Sequence, residues 1–274
     1  MADGFPPPGT FDRARFESRL KTRQLGHTLV ARAETGSTND DAWEALQAGA
    51  PDGVVVIADH QTRGRGRSGR SWHTTPARGL ALSIVLRPGC DRSVISTVPL
   101  VAGLALARGL DALGAPTRLK WPNDLLIGDR KVAGILCESR RVAMIGDTVV
   151  IGVGVNVGES ISDFPEEVAD RATSLRLAGH AITREDVAAE FLNALEPLWT
   201  EHQEGDPRAA LDAWHARADF WGTTVAVHAP AGMVRGVARN LDADGALVIE
   251  TAAGSQRILA GDVELDAMSG AEGA

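Results

Sequence analysis

The sequence predicts an α/β (α+β) protein in two parts, a mixed β-sheet covered by helices followed by a small antiparallel β-barrel. Three observations predict it. The 274 residues suit about two domains at roughly 150 residues each. Up to about residue 220, short β-branched apolar runs alternate with stretches whose apolar residues recur at helical spacing. After Trp221-Gly222 only short strand-like runs remain, separated by turn residues.

The elements follow in order. Phe5-Pro6-Pro7-Pro8-Gly9 reads as a polyproline tail, with a short peripheral helix through Arg13 to Arg23. Gly36-Ser37-Thr38-Asn39-Asp40 offers capping side chains ahead of a helix bearing Ala42, Trp43, Ala45 and Leu46, ended by Gly49. Val54 to Ala58 is a buried strand that opens into the basic loop Gln61 to Arg70. Leu80 to Leu86 is a second strand, and Leu100, Leu104, Leu106, Leu110 and Leu113 form a helix ended by Gly114. Leu119 to Trp121, Leu125 to Ile127, Val132 to Cys137 and Val149 to Val157 are strands joined at Gly128-Asp129 and Gly146-Asp147, an antiparallel meander. Thr183-Arg184-Glu185-Asp186 resembles a capping box opening a helix through Val187, Phe191, Leu195 and Leu198, with Pro197 as a kink or end. Strands at Thr223 to His228, Val234 to Asn240, Ala246 to Thr251 and Gln256 to Leu259 build the barrel.

Composition narrows the function. Hydrophobic residues make up 44% and charged residues 23% of the chain, the balance of an ordinary globular protein. A net charge of -8 repels a polyanion unless the basic residues are gathered in one place. The longest apolar run, Val98 to Ala107, contains Pro99 and Gly103 and falls short of the ~20 residues of a membrane helix. Met1 to Thr10 shows neither a signal nor a transit pattern, so the cytoplasm is the expected compartment and no membrane partner is expected. Cys90 and Cys137 have no paired spacing, and no two of the seven His residues stand at helical ligand spacing, which argues against a disulfide framework and a built-in metal centre. In the C-terminal part, Arg235, Arg239 and Arg257 face seven acids between Asp242 and Glu272, a poor balance for reading nucleic acid.

The basic residues do gather, in Arg63-Gly64-Arg65-Gly66-Arg67-Ser68-Gly69-Arg70. Glycines let backbone N–H groups approach an anion, and guanidiniums supply fixed donors for phosphoryl or carboxylate oxygens. The segment matches G-x-G-x-x-G, but Pro76 within Ser71 to Gly79 prevents the helix that a dinucleotide site requires. Taken alone, the loop suits a solvated turn or an RNA-binding patch equally. Trp72, two residues beyond the last arginine, adds a surface on which an adenine can stack.

Only Lys21, Lys120 and Lys131 are lysines among 28 basic residues, and two of them flank one hairpin. An ammonium is a compact point charge that a guanidinium does not replace. Between them, Trp121-Pro122-Asn123-Asp124 is a proline-fixed bend whose amide and carboxylate suit a nucleotide phosphate with its Mg²⁺, or serve only to bond the turn's own backbone. Gly134, Gly152 and Gly154 lie inside strand-like runs, where glycine marks close approach of another group, such as a flat ligand.

Together, Gly36-Ser37-Thr38-Asn39, Gln61-Thr62-Arg63-Gly64-Arg65-Gly66-Arg67, Lys120-Trp121-Pro122-Asn123-Asp124, Lys131-Val132-Ala133-Gly134-Ile135-Leu136 and Gly152-Val153-Gly154-Val155-Asn156 resemble the biotin–protein ligases, from about Leu29 to Leu265. Arg63 departs from the small residue usual there. The resemblance is to the short class lacking the DNA-binding domain, so neither a repressor role nor a nucleic-acid partner is expected. It implies a flexible tail over 1–28, a catalytic domain over 29–220, an SH3-like C-terminal domain over 221–267 and a disordered tail over 268–274. It also implies an ATP-dependent ligase that makes biotinyl-5′-AMP and transfers biotin to a lysine of a biotin carboxyl carrier domain, of an acetyl-CoA or other acyl-CoA carboxylase or of pyruvate carboxylase. A monomer or weak homodimer is expected.

By this resemblance Ser37, Thr38, Asn39 and Gln61 contact biotin, with Gly134 and Gly154 leaving room for it. Arg65, Gly66 and Arg67 close over both biotin and adenylate, and Arg67 and Arg70 face phosphates. Lys131 stands between the biotin carboxylate and the α-phosphate, Lys120 holds ATP phosphates, and Trp72 and Asn156 meet the adenine nucleotide. Asn123 and Asp124 position phosphate and Mg²⁺, and Asp124 accepts the proton of the incoming lysine. Lys131, Arg67 and Asp124 are thus the catalytic candidates. The nearest alternative is a lipoyl or octanoyl transferase or ligase.

Overall fold

The computed structural model describes residues 9–88, 92–204 and 207–265. Cys90, most of the polyproline tail and the segment 268–274 lie outside them. Helix α1 (Arg13–Arg19) is capped by Asp12, whose side chain accepts from Arg15 N–H. Strand β1 (Leu29–Thr35), helix α2 (Thr38–Gln47), strands β2 (Val55–Gln61) and β3 (Leu80–Leu86), and helix α3 (Val98–Ala112) follow. Next come β4 (Arg118–Lys120), β5 (Asp124–Ile127), β6 (Arg130–Val142), β7 (Gly146–Val155), the one-turn helix α4 (Glu166–Ala169), α5 (Arg184–Gln203) and α6 (Arg208–His215). The C-terminal part holds β8 (Thr224–Ala229), β9 (Gly232–Leu241), β10 (Leu247–Thr251), β11 (Gly254–Ile258) and β12 (Asp262–Leu265).

The large sheet runs β1-β2-β3-β7-β6-β5-β4, with β1 parallel to β2 and the other pairs antiparallel. Its central strands are apolar on both faces because both faces are covered. Val54, Val56, Val85 and Val150 pack on Trp43 and Leu46 of α2. Val55, Ile57, Ile84 and Ile151 belong to the larger core with α3 and α5. The small sheet is antiparallel in the order β11-β10-β9-β8-β12. Trp121 Nε1 donates to Gly245 O at 3.1 Å, joining the bend after β4 to the small sheet.

Several expectations are corrected. The segment read as a flexible tail is anchored in the fold: Phe16 is fully buried in the main core, and Leu25 is nearly so. Glu196 of α5 accepts backbone N–H bonds from Arg23, Gln24 and Leu25, and Asp186 pairs with Arg15. The helix expected to reach Arg23 stops at Arg19 because Leu20 turns extended. Helix α5 runs through Pro197 to Gln203. Gly146 opens β7, so the hairpin turn lies one step earlier, at residues 143–145.

Window Ile95–Ala112 is apolar and long enough to cross a membrane by length and composition, which the narrower reading of Val98 to Ala107 missed, and 67% of it is buried inside the fold. A helix packed against the sheet, α5 and α6 is apolar over most of its surface for that reason, with Arg108 and Asp111 left exposed. Strands β1 and β12 and helix α6 carried no sequence expectation. β1 is an edge strand with mostly exposed side chains, so no apolar run announces it.

Candidate active site

The candidate site is built where the N-terminus of α2, the ends of β2, β6 and β7, and the bend between β4 and β5 meet. Ser37 is the N-cap residue of α2, yet its side chain caps nothing. Gln61, at the end of β2, does that work from across the sheet: its Oε1 accepts from Thr38 N–H at 2.8 Å and from Thr38 Oγ1 at 3.0 Å. An orphan helix N–H satisfied by a neighbouring strand ties the α2 start to the loop that follows Gln61.

A buried polar network continues from there. The Ser83 hydroxyl of β3 lies 2.8 Å from Thr38 Oγ1 and 2.7 Å from Asn39 Oδ1, sharing its one proton between these two acceptors, and Asn39 Nδ2 donates to Glu138 Oε1 at 3.1 Å. Glu138 also receives Trp43 Nε1 and the Arg65 guanidinium. Burial alone pushes the Glu138 carboxyl up, but bonds from Arg65, Asn39 and Trp43 outweigh it and hold the group below the usual range. Ser83 and Glu138 escaped the sequence reading. The signal for Ser83 was a lone hydroxyl within Leu80–Leu86, every residue of which is buried.

Ser37, Thr38, Asn39, Gln61, Arg65, Gly134 and Gly154 line one hollow of about 30 Å³, together with Gly152. The strand glycines are explained by side chains of this chain. A Cβ on Gly152 would stand 2.4 Å from Asn39 Oδ1, and one on Gly154 would stand 2.4 Å from Trp72 Cε2. Gly134 lies under the same indole and under Lys131. The room expected for a ligand above Gly134 and Gly154 is therefore occupied in part by Trp72, whose indole lies on the glycine strands.

The basic loop divides its arginines. Arg65 donates to both oxygens of Asp40, at 2.6 and 2.9 Å, and to Glu138 at 2.8 Å. These carboxylates, Asp40 foremost, keep its guanidinium charged. It is thus committed to side chains of α2 and β6. Gly66 N–H closes the loop on Arg70 O at 2.7 Å. Arg67 donates to Asn123 Oδ1 at 3.3 Å and to Gly261 O at 3.2 Å. Arg70 pairs with Asp262 at 2.6 Å. Arg63 lies against Gly36, where a Cβ would stand 2.8 Å from Arg63 Nη2.

The bend brings the two lysines together. Lys120 pairs in register with Asp124, and Asp124 with Gly134. Lys131 Nζ stands 2.5 Å from Asp124 Oδ1 and 5.6 Å from the Trp72 ring centre. Burial pushes the Lys120 ammonium below its usual range, with Asp124 opposing and Lys131 adding to the effect. Burial also lowers Arg67. Asn123 is fixed to β6, its Nδ2 donating to Ile135 O at 2.6 Å. Asn156 is buried, and its Nδ2 donates to Thr173 O at 2.9 Å. Thr173 and Arg171 in turn bond the backbone of Lys131. A second hollow, of about 110 Å³, opens beside Arg67 and Asn123 between the two sheets and is floored by Trp121, Cys137 and Leu259.

Close cations, a carboxylate in their midst and a polar hollow alongside suit the condensation of two anions. The Biotin/lipoate A/B protein ligase family model matches residues 32–156, and that of the biotin protein ligase C terminal domain matches residues 221–266. The biotin--[acetyl-CoA-carboxylase] ligase of Mycobacterium tuberculosis is 37% identical over 277 residues, covering 92% of this chain and 98% of that protein. The chain belongs to the biotin protein ligases. It is an enzyme of the ligase class with a mixed α/β fold and a C-terminal antiparallel sheet. The biotin--[acetyl-CoA-carboxylase] ligase of Paracoccus denitrificans is 37% identical over 246 residues, 84% of this chain and 98% of that one. The biotin protein ligase of Aquifex aeolicus, solved in complex with biotin and ATP, superposes with a TM-score of 0.75 at 28% identity, over 87% of this chain and 98% of that one.

Proposed function

We propose that the protein activates biotin with ATP and transfers it to one lysine of a biotin carboxyl carrier domain, acting in the cytoplasm. In the first step a biotin carboxylate oxygen attacks the α-phosphorus, the bond to the β-phosphate bridging oxygen breaks, and biotinyl-5′-AMP and pyrophosphate form. In the second step the carrier's lysine amine attacks the acyl carbon, loses a proton and releases AMP. The observation that carries this reading is the Lys131–Asp124 pair at 2.5 Å, with Lys120 and Arg67 beside Asp124. A partly desolvated cationic cluster of this kind lowers the repulsion between carboxylate and phosphate.

The ureido ring is assigned to the hollow lined by Ser37, Thr38, Asn39 and Gln61, side chains that offer both donors and acceptors. Trp72 moves off or along the glycine strands to meet the adenylate, and Asn156 flanks the nucleotide. Lys131 stabilises the charge that builds on the α-phosphate, Lys120 and Arg67 bind phosphates, and Arg70 stands at their outer edge. Arg65 and Gly66 act on biotin and adenylate through the closure of the loop.

Among the described residues, no group of three or more His, Cys, Asp or Glu side chains converges to hold a metal. A Mg²⁺ brought by ATP would find Asp124 as its protein carboxylate and would supply charge neutralisation at the phosphates. In this reading Asp124 also orients Lys131 and accepts the proton that the carrier lysine sheds. The carrier assignment rests on the names of the relatives, which are acetyl-CoA-carboxylase ligases, and extends by the same acceptor chemistry to the carrier domains of other acyl-CoA and pyruvate carboxylases.

Pyrophosphate release with MgATP and a panel of carboxylic acids tests the reading. Release with biotin that lipoate and octanoate do not elicit is expected. Equal release with all three acids, or none with biotin, overturns it.

A further inference from the structure

The C-terminal sheet is acidic, and one of its acids is built into the basic loop. Strand β12 begins Asp262-Val263-Glu264, so alternation sends Val263, 2% exposed, into the small sheet's core and places Asp262 and Glu264 on the opposite face. That face looks at the cations of the candidate site. Asp262 Oδ1 lies 2.6 Å from Arg70 Nη2 and 3.9 Å from Arg67 Nη1, and both Asp262 and Glu264 act electrostatically on Lys120. The preceding Gly261 accepts from Arg67 Nη1 at 3.2 Å. A Cβ there would stand 2.8 Å from Val227 Cγ1 and 3.0 Å from His228 O, so the segment sits tight on β8 and its carbonyl is fixed.

We infer that Asp262 is a positioning residue, which holds Arg67 and Arg70 of the basic loop over the nucleotide site. This rests on the proposed reading of the site. Arginines on a glycine loop lose considerable rotamer freedom when they bind a phosphate, and holding them beforehand removes part of that cost. One carboxylate oxygen does not exhaust two guanidiniums, since each carries five N–H donors. Arg67 Nη1 also reaches the bend itself, at Asn123 Oδ1. The acidity of the C-terminal sheet, unsuited to a polyanion, thereby acquires a use.

The test compares wild type, Asp262→Asn and Asp262→Glu. Hydrogen exchange of residues 64–73 without ligand reads whether Asp262 holds the loop, and KM for ATP against KM for biotin reads whether the hold serves the nucleotide. For Asp262→Asn we expect faster loop exchange and a KM for ATP raised about 10-fold, the size of one lost charge-assisted bond, with kcat and the biotin KM little changed. Asp262→Glu should recover most of both effects. Unaltered loop exchange in Asp262→Asn overturns the inference, and so does faster exchange with an unchanged KM for ATP. Were the wild type to make no adenylate, the proposed function would fall on its own account, while the exchange comparison would still decide whether Asp262 holds the loop.

Discussion

Replacing Lys131 with alanine removes the ammonium at the centre of the cationic cluster. Its Nζ is 2.5 Å from Asp124 Oδ1, and the two side chains are 35% and 22% exposed. A phosphoryl oxygen gaining charge about 4 Å from that ammonium is stabilised by about 4 kcal/mol at an effective dielectric constant near 20. Solvent at a group about one-third exposed screens part of this. Lys120 and Arg67 supply some compensation, which brings the expected loss to roughly 10²–10³ in rate, the size of one missing electrostatic donor. Asp124 keeps Lys120 as its register partner, so the fold should persist, and a thermal melt checks this. The assay is single-turnover adenylate formation followed by pyrophosphate release, with biotin affinity measured separately by calorimetry. The account expects kcat and kcat/KM to fall together, because the contact is made in the transition state. Release at the wild-type rate would refute the electrostatic reasoning.

Three further outcomes follow from individual contacts. Gly154→Ala places a Cβ 2.4 Å from the Trp72 ring, so Trp72 must shift at a cost of about 1–3 kcal/mol; tryptophan fluorescence should change and biotin affinity should fall, whereas an unaltered spectrum would mean the indole is not seated there. Phe16→Ala should destabilise the whole protein by about 3–5 kcal/mol in chemical denaturation, since Phe16 is fully buried in the main core; a change below about 1 kcal/mol would return α1 to the status of a tail. Glu159 is buried against Gly79, and burial lifts its carboxyl from the ordinary 4.5 to about 7. Such a group binds its proton more tightly when folded, so stability falls as pH rises from about 4.5 to about 7 and levels off above, by an amount on the order of 3 kcal/mol. Glu159→Gln should flatten that slope in melts across the range, and an unchanged slope would assign it to other groups.

What could be read from the sequence was what local pattern encodes. Leu80–Leu86 was found at its observed bounds because a strand covered on both faces is an unbroken apolar run. The arrival of Lys120, Lys131, Asn123 and Asp124 at one place also followed from their positions around one hairpin. What escaped depends on partners distant in the chain. Phe16 belongs to the core only because α5, some 170 residues on, offers Glu196 and Asp186 to tie the N-terminal segment down. Arg65 looked free for a ligand, but Asp40 of α2 and Glu138 of β6 claim it. Ser37 had the right type and place for a cap, yet Gln61 from β2 supplies the acceptor to the first turn of α2. Pro197 was read as a kink or end, and the helix does not end there because it is packed along α3 and α1 through to Gln203. Asp262 carried no local signal, since its partners lie in the other sheet's loop.

If this cationic pocket condenses biotin with ATP and delivers the acyl group to a protein lysine, incubation with biotin, MgATP and a biotin carboxyl carrier domain leaves its mark on the carrier. Mass spectrometry of the carrier should show a mass gain of one biotinyl group on a single lysine, lost when either small molecule is omitted. An unmodified carrier alongside a folded, nucleotide-binding protein would contradict it.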